Sequence, residues 1–356
     1  MRLATVLLFG CILARGQEAQ SGFQIEGTFT AGADYSAQLT SWPRNGSPWT
    51  GGGRLVLYPK WRIGRHWSFL ASVQLRSRPF YFQDFDTQGY GLNADVLQAQ
   101  MVYSRIARNK SFSLRAGQMS SAFGSFLLRY DDSRNALIDM PISYGYYQGV
   151  TILGLMGAEA DASLKRFDFR AQFTNSSPAN RRSIFDSGQF GDWAGGVGYT
   201  IWQGVRVGFS GYRGPYLDHG FAYYFPGEAP PRTLPATGYS IEAEAAHGHW
   251  NFYSEIQKFQ YAYHVIPTFT ERVWYAEAKR TLSPRWYAAL RVNHLTGDLN
   301  TKETEYEMSL GFRPNRLQLL KIGYERQNSA STPGALGNIF AAQLVTTISP
   351  IAVGRK

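Results

Sequence analysis

Two sets of residues in this 356-residue chain are candidates for chemistry: its six histidines, and a large population of arginines and carboxylates. Hydrolysis by a membrane or soluble enzyme needs a nucleophile or an activated water beside a positioned base. The histidines are His66, His219, His247, His249, His264 and His294. His247 and His249 flank one glycine and have the spacing of a two-imidazole chelate, but they fall at a turn, and a turn role accounts for them more simply. Asp218 and His219 fall in a long connection without a paired serine motif; the sequence has no G-x-S-x-G, no P-loop and no dinucleotide fingerprint. No catalytic residue, metal site or cofactor is expected.

The charged residues follow a different pattern, recurring on alternate positions of short segments. In the first half these are Arg54, Lys60, Arg62, Arg76, Arg115, Arg166, Arg170 and Arg206. In the second half they are Glu242, Glu244, Glu255, Glu277, Glu305 and Glu307, followed by Lys321 and Glu325. Glu159, Asp161 and Asp168 interrupt the basic set, and Lys279 and Arg291 the acidic one. Placed on opposite walls of a water-filled tube, such groups would orient dipolar solutes and discriminate among ions. Placed in a narrower space, they would pair and fill it.

The elements that position these charges are strands. From Phe23 onward apolar residues alternate with polar ones at period two, and helical periodicity is nearly absent. Trp67, Phe69, Ala71, Val73 and Leu75 form one such run; Phe167 to Phe173, Trp286 to Val292 and Tyr306 to Phe312 form others. Seven short connections (62–65, 107–110, 165–166, 203–204, 246–248, 282–285 and 313–316) alternate with long ones, approximately 34–51, 77–94, 120–149, 174–190, 214–236, 263–269, 296–303 and 329–336. Seven turns join fourteen strands, and terminal strands near 23–33 and 338–349 make sixteen.

An even antiparallel count with short turns at one end and long loops at the other is the pattern of an all-β, transmembrane up-and-down barrel. Closure removes sheet edges, so every backbone N–H and C=O can pair within hydrocarbon. Aromatics flank the short turns on the apolar parity: Trp61, Trp67, Tyr103, Phe112, Phe167, Trp250, Trp286 and Phe312, with Trp202 bordering another. Rings collected at one level suit a bilayer interface.

Composition agrees with this reading. Only 17% of residues are charged, 44% are hydrophobic and 15% aromatic, and no internal apolar run is long enough for a membrane helix. Arg2 followed by the apolar stretch from Leu3 to Ala14 reads as an export signal over residues 1–16, with a cut nearer residue 19 as an alternative. Cys11 in Leu8-Phe9-Gly10-Cys11 loosely matches a lipobox; otherwise cleavage removes the sole thiol. The barrel then occupies 17–356 with a net charge of about +8, down from +10. The basic residues are dispersed, so no nucleic-acid partner is expected. Membrane lipid and small hydrophilic solutes are.

The third long loop, 120–149, mixes buried-type residues (Phe123, Phe126, Leu127, Leu128, Leu137, Ile138, Met140) with Arg129, Asp131, Asp132, Arg134 and Asp139. A loop surrounded by water would not need those apolar groups. It is expected to fold into the barrel as a constriction, with Asp131, Asp132 and Asp139 facing first-half arginines; a lid on the rim or a subunit contact is the alternative.

In signal segment, strand count, turn asymmetry and long third loop, the chain resembles the bacterial outer-membrane porins. The stretch Gly117-Gln118 through Phe123-Gly124 to Asn135, Leu137, Ile138, Asp139 and Pro141 resembles the segment of porin-like proteins in which a strand leads into a channel-side loop. The resemblance implies passive diffusion of small hydrophilic solutes, a constriction formed by the third loop and a homotrimer; with no nucleophile beside a positioned base, no enzymatic activity is expected. The chain departs from the pattern in its final strand, where the aromatic Phe340 lies near the start. An adhesion barrel, with Tyr81, Phe82, the 144–147 tyrosine cluster and Tyr223 to Phe225 contacting a partner, is the other reading.

Overall fold

A computed structural model of the chain describes residues 22–41, 46–78, 80, 91–144, 153–176, 191–217, 226–298, 301–329 and 337–353. The segment read as an export signal lies outside these residues, as do Tyr81, Phe82, residues 145–152, and the 218–225 stretch with His219.

Sixteen antiparallel strands close into a barrel. They are β1 (Gly22–Tyr35), β2 (Trp49–Ile63), β3 (Trp67–Arg78), β4 (Gly91–Ala107), β5 (Lys110–Met119), β6 (Leu155–Leu164), β7 (Phe167–Thr174) and β8 (Asp192–Trp202). The second half comprises β9 (Val205–Pro215), β10 (Pro235–His247), β11 (Trp250–Tyr261), β12 (Phe269–Thr281), β13 (Trp286–Gly297), β14 (Lys302–Phe312), β15 (Gln318–Ser329) and β16 (Asn338–Val353). Each strand pairs with its sequence neighbours, and β1 closes against β16 from Phe23↔Val353 to Tyr35↔Phe340. The seven expected short turns all join consecutive strands. In the two-residue turn between β6 and β7, Lys165 takes the left-handed conformation with φ of 56°.

The strands are tilted. One cross-strand row starts at Lys302, at the long-loop end of β14, and runs through Thr296, Arg272, Lys258, Tyr239, Gly211, Gly195, Ala171, Ala160, Leu114 and Tyr103. It reaches Trp67 at the short-turn end of β3, a descent that follows from the stagger a closed barrel requires.

The polarity of the wall is inverted relative to a soluble protein. Outward positions carry exposed apolar side chains, among them Leu75, Leu114, Phe169, Val197, Ile241, Ile256, Leu290 and Ile322, while the alternate positions bury Gln74, Gln172, Ser210, Glu242, Gln257, Asn293 and Gln343. A surface of that kind is stable against hydrocarbon, not against water. At the short-turn rim Trp61, Trp67, Phe167, Trp202, Trp250 and Trp286 are exposed. Ring pairs such as Trp286–Phe312 (4.4 Å) and Trp67–Tyr103 (5.2 Å) link neighbouring strands there.

Candidate functional site: a loop seated in a charged lumen

The connection leaving β5 organises itself locally before it meets the wall. Asp131 accepts from the backbone N–H (2.8 Å) and hydroxyl (2.6 Å) of Ser133, while its own carbonyl accepts from the N–H groups of Arg134 and Asn135. These are the local bonds by which Asp nucleates a turn. Asn135 closes the next bend, accepting from Leu137 N–H and donating to the Asp139 carbonyl. Short 3-10 turns cover Phe126–Arg129 and Ile142–Tyr144. Gly124 has a φ of 73°, and a β-carbon there would lie 1.8 Å from the Tyr144 hydroxyl, so this bend accepts no side chain.

Residues 120–144 lie against inward-facing groups at four places. On β7 and β9, Gln172 accepts from the Ala122 N–H and donates to the Ser120 carbonyl, and Ser210 accepts from the Gly124 N–H. On β1 and β2, Arg54 pairs with Asp132 (2.5 Å), Thr30 donates to Asp132 (2.6 Å), and Tyr58 donates to Asp131. On β11 and β12, Glu255 accepts from the Ser125 N–H and hydroxyl, Tyr144, Tyr275 and Gln257, and Arg129 pairs with Glu277 (2.8 Å) while lying 3.7 Å over the Tyr253 ring. On β13 to β15 the wall grips the loop's backbone. Glu307 accepts from the N–H groups of Ile138 (2.9 Å) and Asp139 (3.0 Å), Lys321 donates to the Leu137 carbonyl (3.0 Å), Tyr287 and Ser309 donate to the Ala136 carbonyl, and Arg291 donates to the Asp139 carbonyl. Each is a buried polar group with a partner, as stability in a low-dielectric interior requires.

Apolar contacts seal the seat: Phe123 packs with Tyr212, Ala236, Phe259 and Val273, and Leu137 with Tyr287, Leu319 and Val345. Burial opposes the charge of Asp131, yet the Ser133 hydroxyl, the Tyr58 phenol, the Ser133 N–H and Arg54 outweigh it and hold its carboxyl below the ordinary aspartate range. Burial likewise opposes the Arg129 charge, and Glu277 overrides it, so the guanidinium is held more firmly protonated than usual.

The opposite stretch of wall pairs its charges among its own strands. Arg115 bridges Glu159 (2.9 Å) and Asp161 (3.0 Å) from β5 to β6. Arg206 on β9 meets Asp168 on β7 (2.6 Å) and Glu242 on β10 (3.1 Å), with Glu244 at 3.6 Å; Arg170 also pairs with Glu242. The intervening strand β8 presents Gly196 and Gly198 there, and a β-carbon on Gly198 would lie 2.2 Å from the Arg206 guanidinium and 2.4 Å from Asp168. Glycines in this strand therefore allow ion pairs to cross it, a signal that Gly196 and Gly198 carried in the sequence but that reading strand by strand missed. Glu159, Arg206 and Glu242 are buried in this network, but its other members retain water contact: Arg115, Asp161 and Asp168 are 26%, 24% and 32% exposed, against 0% for Glu277 and Arg291 and 3% for Glu307.

The placement of the expected residues is mixed. Lys60 and Arg62 are half-buried on the inward parity of β2 near the short-turn end, without an ion pair among the described residues. Arg76 faces Arg54 across β2 and β3, and Glu305 is buried beside Asn293 and Gln327. Arg134 is exposed on the loop.

Three expectations need correction. Arg166 does not line the lumen: it is exposed in the short β6–β7 turn and donates to the Ile201 carbonyl, because a two-residue turn directs neither side chain inward. Asp139 does not face first-half arginines; its stretch of loop lies on β13 and β14, against Arg291 and Glu307. The basic and acidic walls do not oppose one another across empty space, since Arg54, Arg115, Arg170, Arg206 and Arg291 each meet a carboxylate nearby.

The described histidines are dispersed. His66 bonds the Ser104 carbonyl, His294 the Thr304 hydroxyl, and His247 and His249 adjoin the β10–β11 turn. Among the described residues no three His, Cys, Asp or Glu are placed to hold a metal ion.

No family model matches this sequence, and no curated protein matches it. Solved structures do. The anion-selective porin from Comamonas acidovorans aligns with a TM-score of 0.62 at 12% identity, covering 94% of this chain and 100% of that one. OmpF of Salmonella typhi in complex with daunomycin aligns with 0.62 at 10% identity, covering 92% and 97%. OmpT, an outer membrane protein of Vibrio cholerae in a trimer form, aligns with 0.60 at 9% identity, covering 92% and 99%. At such identities the likeness is one of fold: the chain has the porin-like architecture of the bacterial outer membrane.

Proposed function

We propose that this outer-membrane barrel is a porin: a non-enzymatic channel through which small hydrophilic solutes diffuse passively, past a constriction formed by residues 120–144. The observation that carries this reading is the contrast in water contact inside the barrel. The loop seats on β11 to β15 and covers Glu277, Arg291 and Glu307, while Arg115, Asp161, Asp168 and Glu244 on the facing wall stay partly exposed. Gln24 and Glu26, inward on β1 near the short-turn end, are exposed as well. Sixteen strands leave more room than side chains alone fill, so the hydrated side supports a passage.

Lys60 and Arg62, which form no ion pair within 4 Å among the described residues and together outnumber the nearby Glu26 carboxylate, give that passage a mild anion preference. A homotrimer is part of the proposal, in keeping with the small outward residues Ala31, Ala33, Gly51 and Gly53 on β1 and β2, which would allow close approach of a second barrel.

Purified protein in planar bilayers is expected to conduct, with a reversal potential in a salt gradient of the anion-preferring sign. Replacing Arg115 and Arg170 by Glu moves it toward cations. A barrel closed at every voltage would overturn the porin reading in favour of adhesion.

A further inference from the structure

The outward face of the barrel differs between its halves at the long-loop rim. On β11, β12 and β14 the outward positions within three residues of the strand ends include Lys258, Arg272 and Lys302. They share the cross-strand row Lys258–Arg272–Thr296–Lys302, in which Lys258 and Arg272 stand directly opposite one another. At roughly 4.8 Å per strand the three cations fall within about 15 Å.

Like charges directly opposed across a sheet destabilise it unless something compensates. No carboxylate does so here: among the described residues none of the three forms an ion pair, Glu271 and Glu303 sit on the inward parity, and Asp298 above them accepts from the Thr270 N–H. On β11 and β12 the next row down this surface is apolar and aromatic, with Ile256 59% and Trp274 39% exposed; on β13 and β14 it continues as His294, bonded to Thr304. By contrast, the same rim on β1, β2, β4 and β8 presents Tyr35, Trp49, Leu92 and Trp193.

Cations above an apolar face, on a surface that meets lipid, match an amphiphile with an anionic head. We propose that Lys258, Arg272 and Lys302 form a binding site for the phosphate of a membrane lipid, with Thr296 as a hydroxyl donor between them and the acyl chains lying over Ile256 and Trp274. The ligand is lipid-borne phosphate because the row opens onto the hydrocarbon surface and not into the lumen. The site rests on the outer-membrane reading but is separable from channel function, since none of its residues lines the interior.

The test is native mass spectrometry of the refolded, detergent-solubilised full barrel titrated with dimyristoyl phosphatidylglycerol or dimyristoyl phosphatidylcholine. Phosphatidylglycerol should bind preferentially. K258Q/R272Q/K302Q should weaken it about a hundredfold, in line with the contribution of three basic residues at an anionic surface, and K258R/R272K/K302R should retain it. Equal binding of the two lipids, or a glutamine variant that binds like wild type, would overturn the proposal. Displacement of the lipid by equimolar inorganic phosphate would also overturn it, by assigning the site to a free anion. Conductance of the same samples separates the two readings: loss of lipid discrimination with normal conductance defeats this site alone, and retained discrimination in a non-conducting barrel defeats the porin alone.

Discussion

The two sides of the inner wall use the same side chains for different ends. Along β5 to β10, arginines and carboxylates satisfy one another: Arg115 with Glu159 and Asp161, Arg206 with Asp168 and Glu242. Along β11 to β15, Glu255, Glu307 and Lys321 spend much of their hydrogen-bonding capacity on a peptide segment that belongs to neither wall strand. The first arrangement buries Glu159, Arg206 and Glu242 but leaves Arg115, Asp161 and Asp168 in contact with water; the second takes Glu277, Arg291 and Glu307 out of it. A charge in a wet, self-paired network tunes the field a solute meets, whereas a charge that holds a loop determines whether the loop is there at all.

The sharpest way to break that contrast is Glu307→Ala. It deprives Arg291 of its 2.5 Å partner and frees two loop N–H groups in a buried setting, at a cost of about 3–5 kcal/mol. The expected result is a lower unfolding temperature together with larger single-channel conductance, read by heat-modifiable gel mobility and bilayer recording. Unchanged conductance would show that this anchor does not hold the constriction.

Arg206→Ala is expected to do the reverse, leaving conductance near wild type but moving the reversal potential toward cations, because Asp168, Glu242 and Glu244 lose their shared cation. Gly198→Val sharpens the same point without removing a charge. Its β-carbon would occupy the space of the Arg206–Asp168 pair, so a shift in the same direction but smaller is expected; wild-type selectivity would show that the pair can reform elsewhere.

The smallest effect concerns pH. Because Asp131 is held below the ordinary carboxyl value, its anchor on Tyr58 and Thr28 contributes stability that is fully present above the unfolded aspartate pKa of about 4. That contribution is lost as pH falls through the lower folded value. Asp131→Asn should therefore flatten the acid limb of a melting-temperature profile relative to wild type, and an unaltered acid limb would remove Asp131 as its source.

The barrel was legible because two of its signals are local. Period-two alternation in segments such as Trp286 to Val292 and the seven short connections need no knowledge of distant residues, and together they set the strand number. The inward parity followed from the same alternation, so Arg54, Arg115, Glu255 and Glu277 could be assigned to the interior from the sequence. What they touch could not. The Lys321 bond to the Leu137 carbonyl involves a backbone group that every residue carries, so no residue type marks it. Arg206 reaches Asp168 only because an intervening strand is glycine at one position, a relation between three strands and not within any one of them. Arg166 failed for a simpler reason: continuing strand parity through a tight turn assigns a direction to a side chain that has left the strand.

The seat of the 120–144 loop also orders events in time. The chain makes the loop early, yet several of its partners lie far along the sequence, 130 residues away at Glu255, 169 at Glu307 and 184 at Lys321. Contacts of such separation form late, since the intervening chain must first be arranged. A nascent barrel that has reached only β10 can hold the segment at β1, β2, β7 and β9 but offers no Glu255 or Glu277, and one lacking β15 cannot fasten Leu137. Seating of residues 136–139 therefore reports completion of β13 to β15, and their protection from a protease during refolding would serve as a clock for the last stage of assembly.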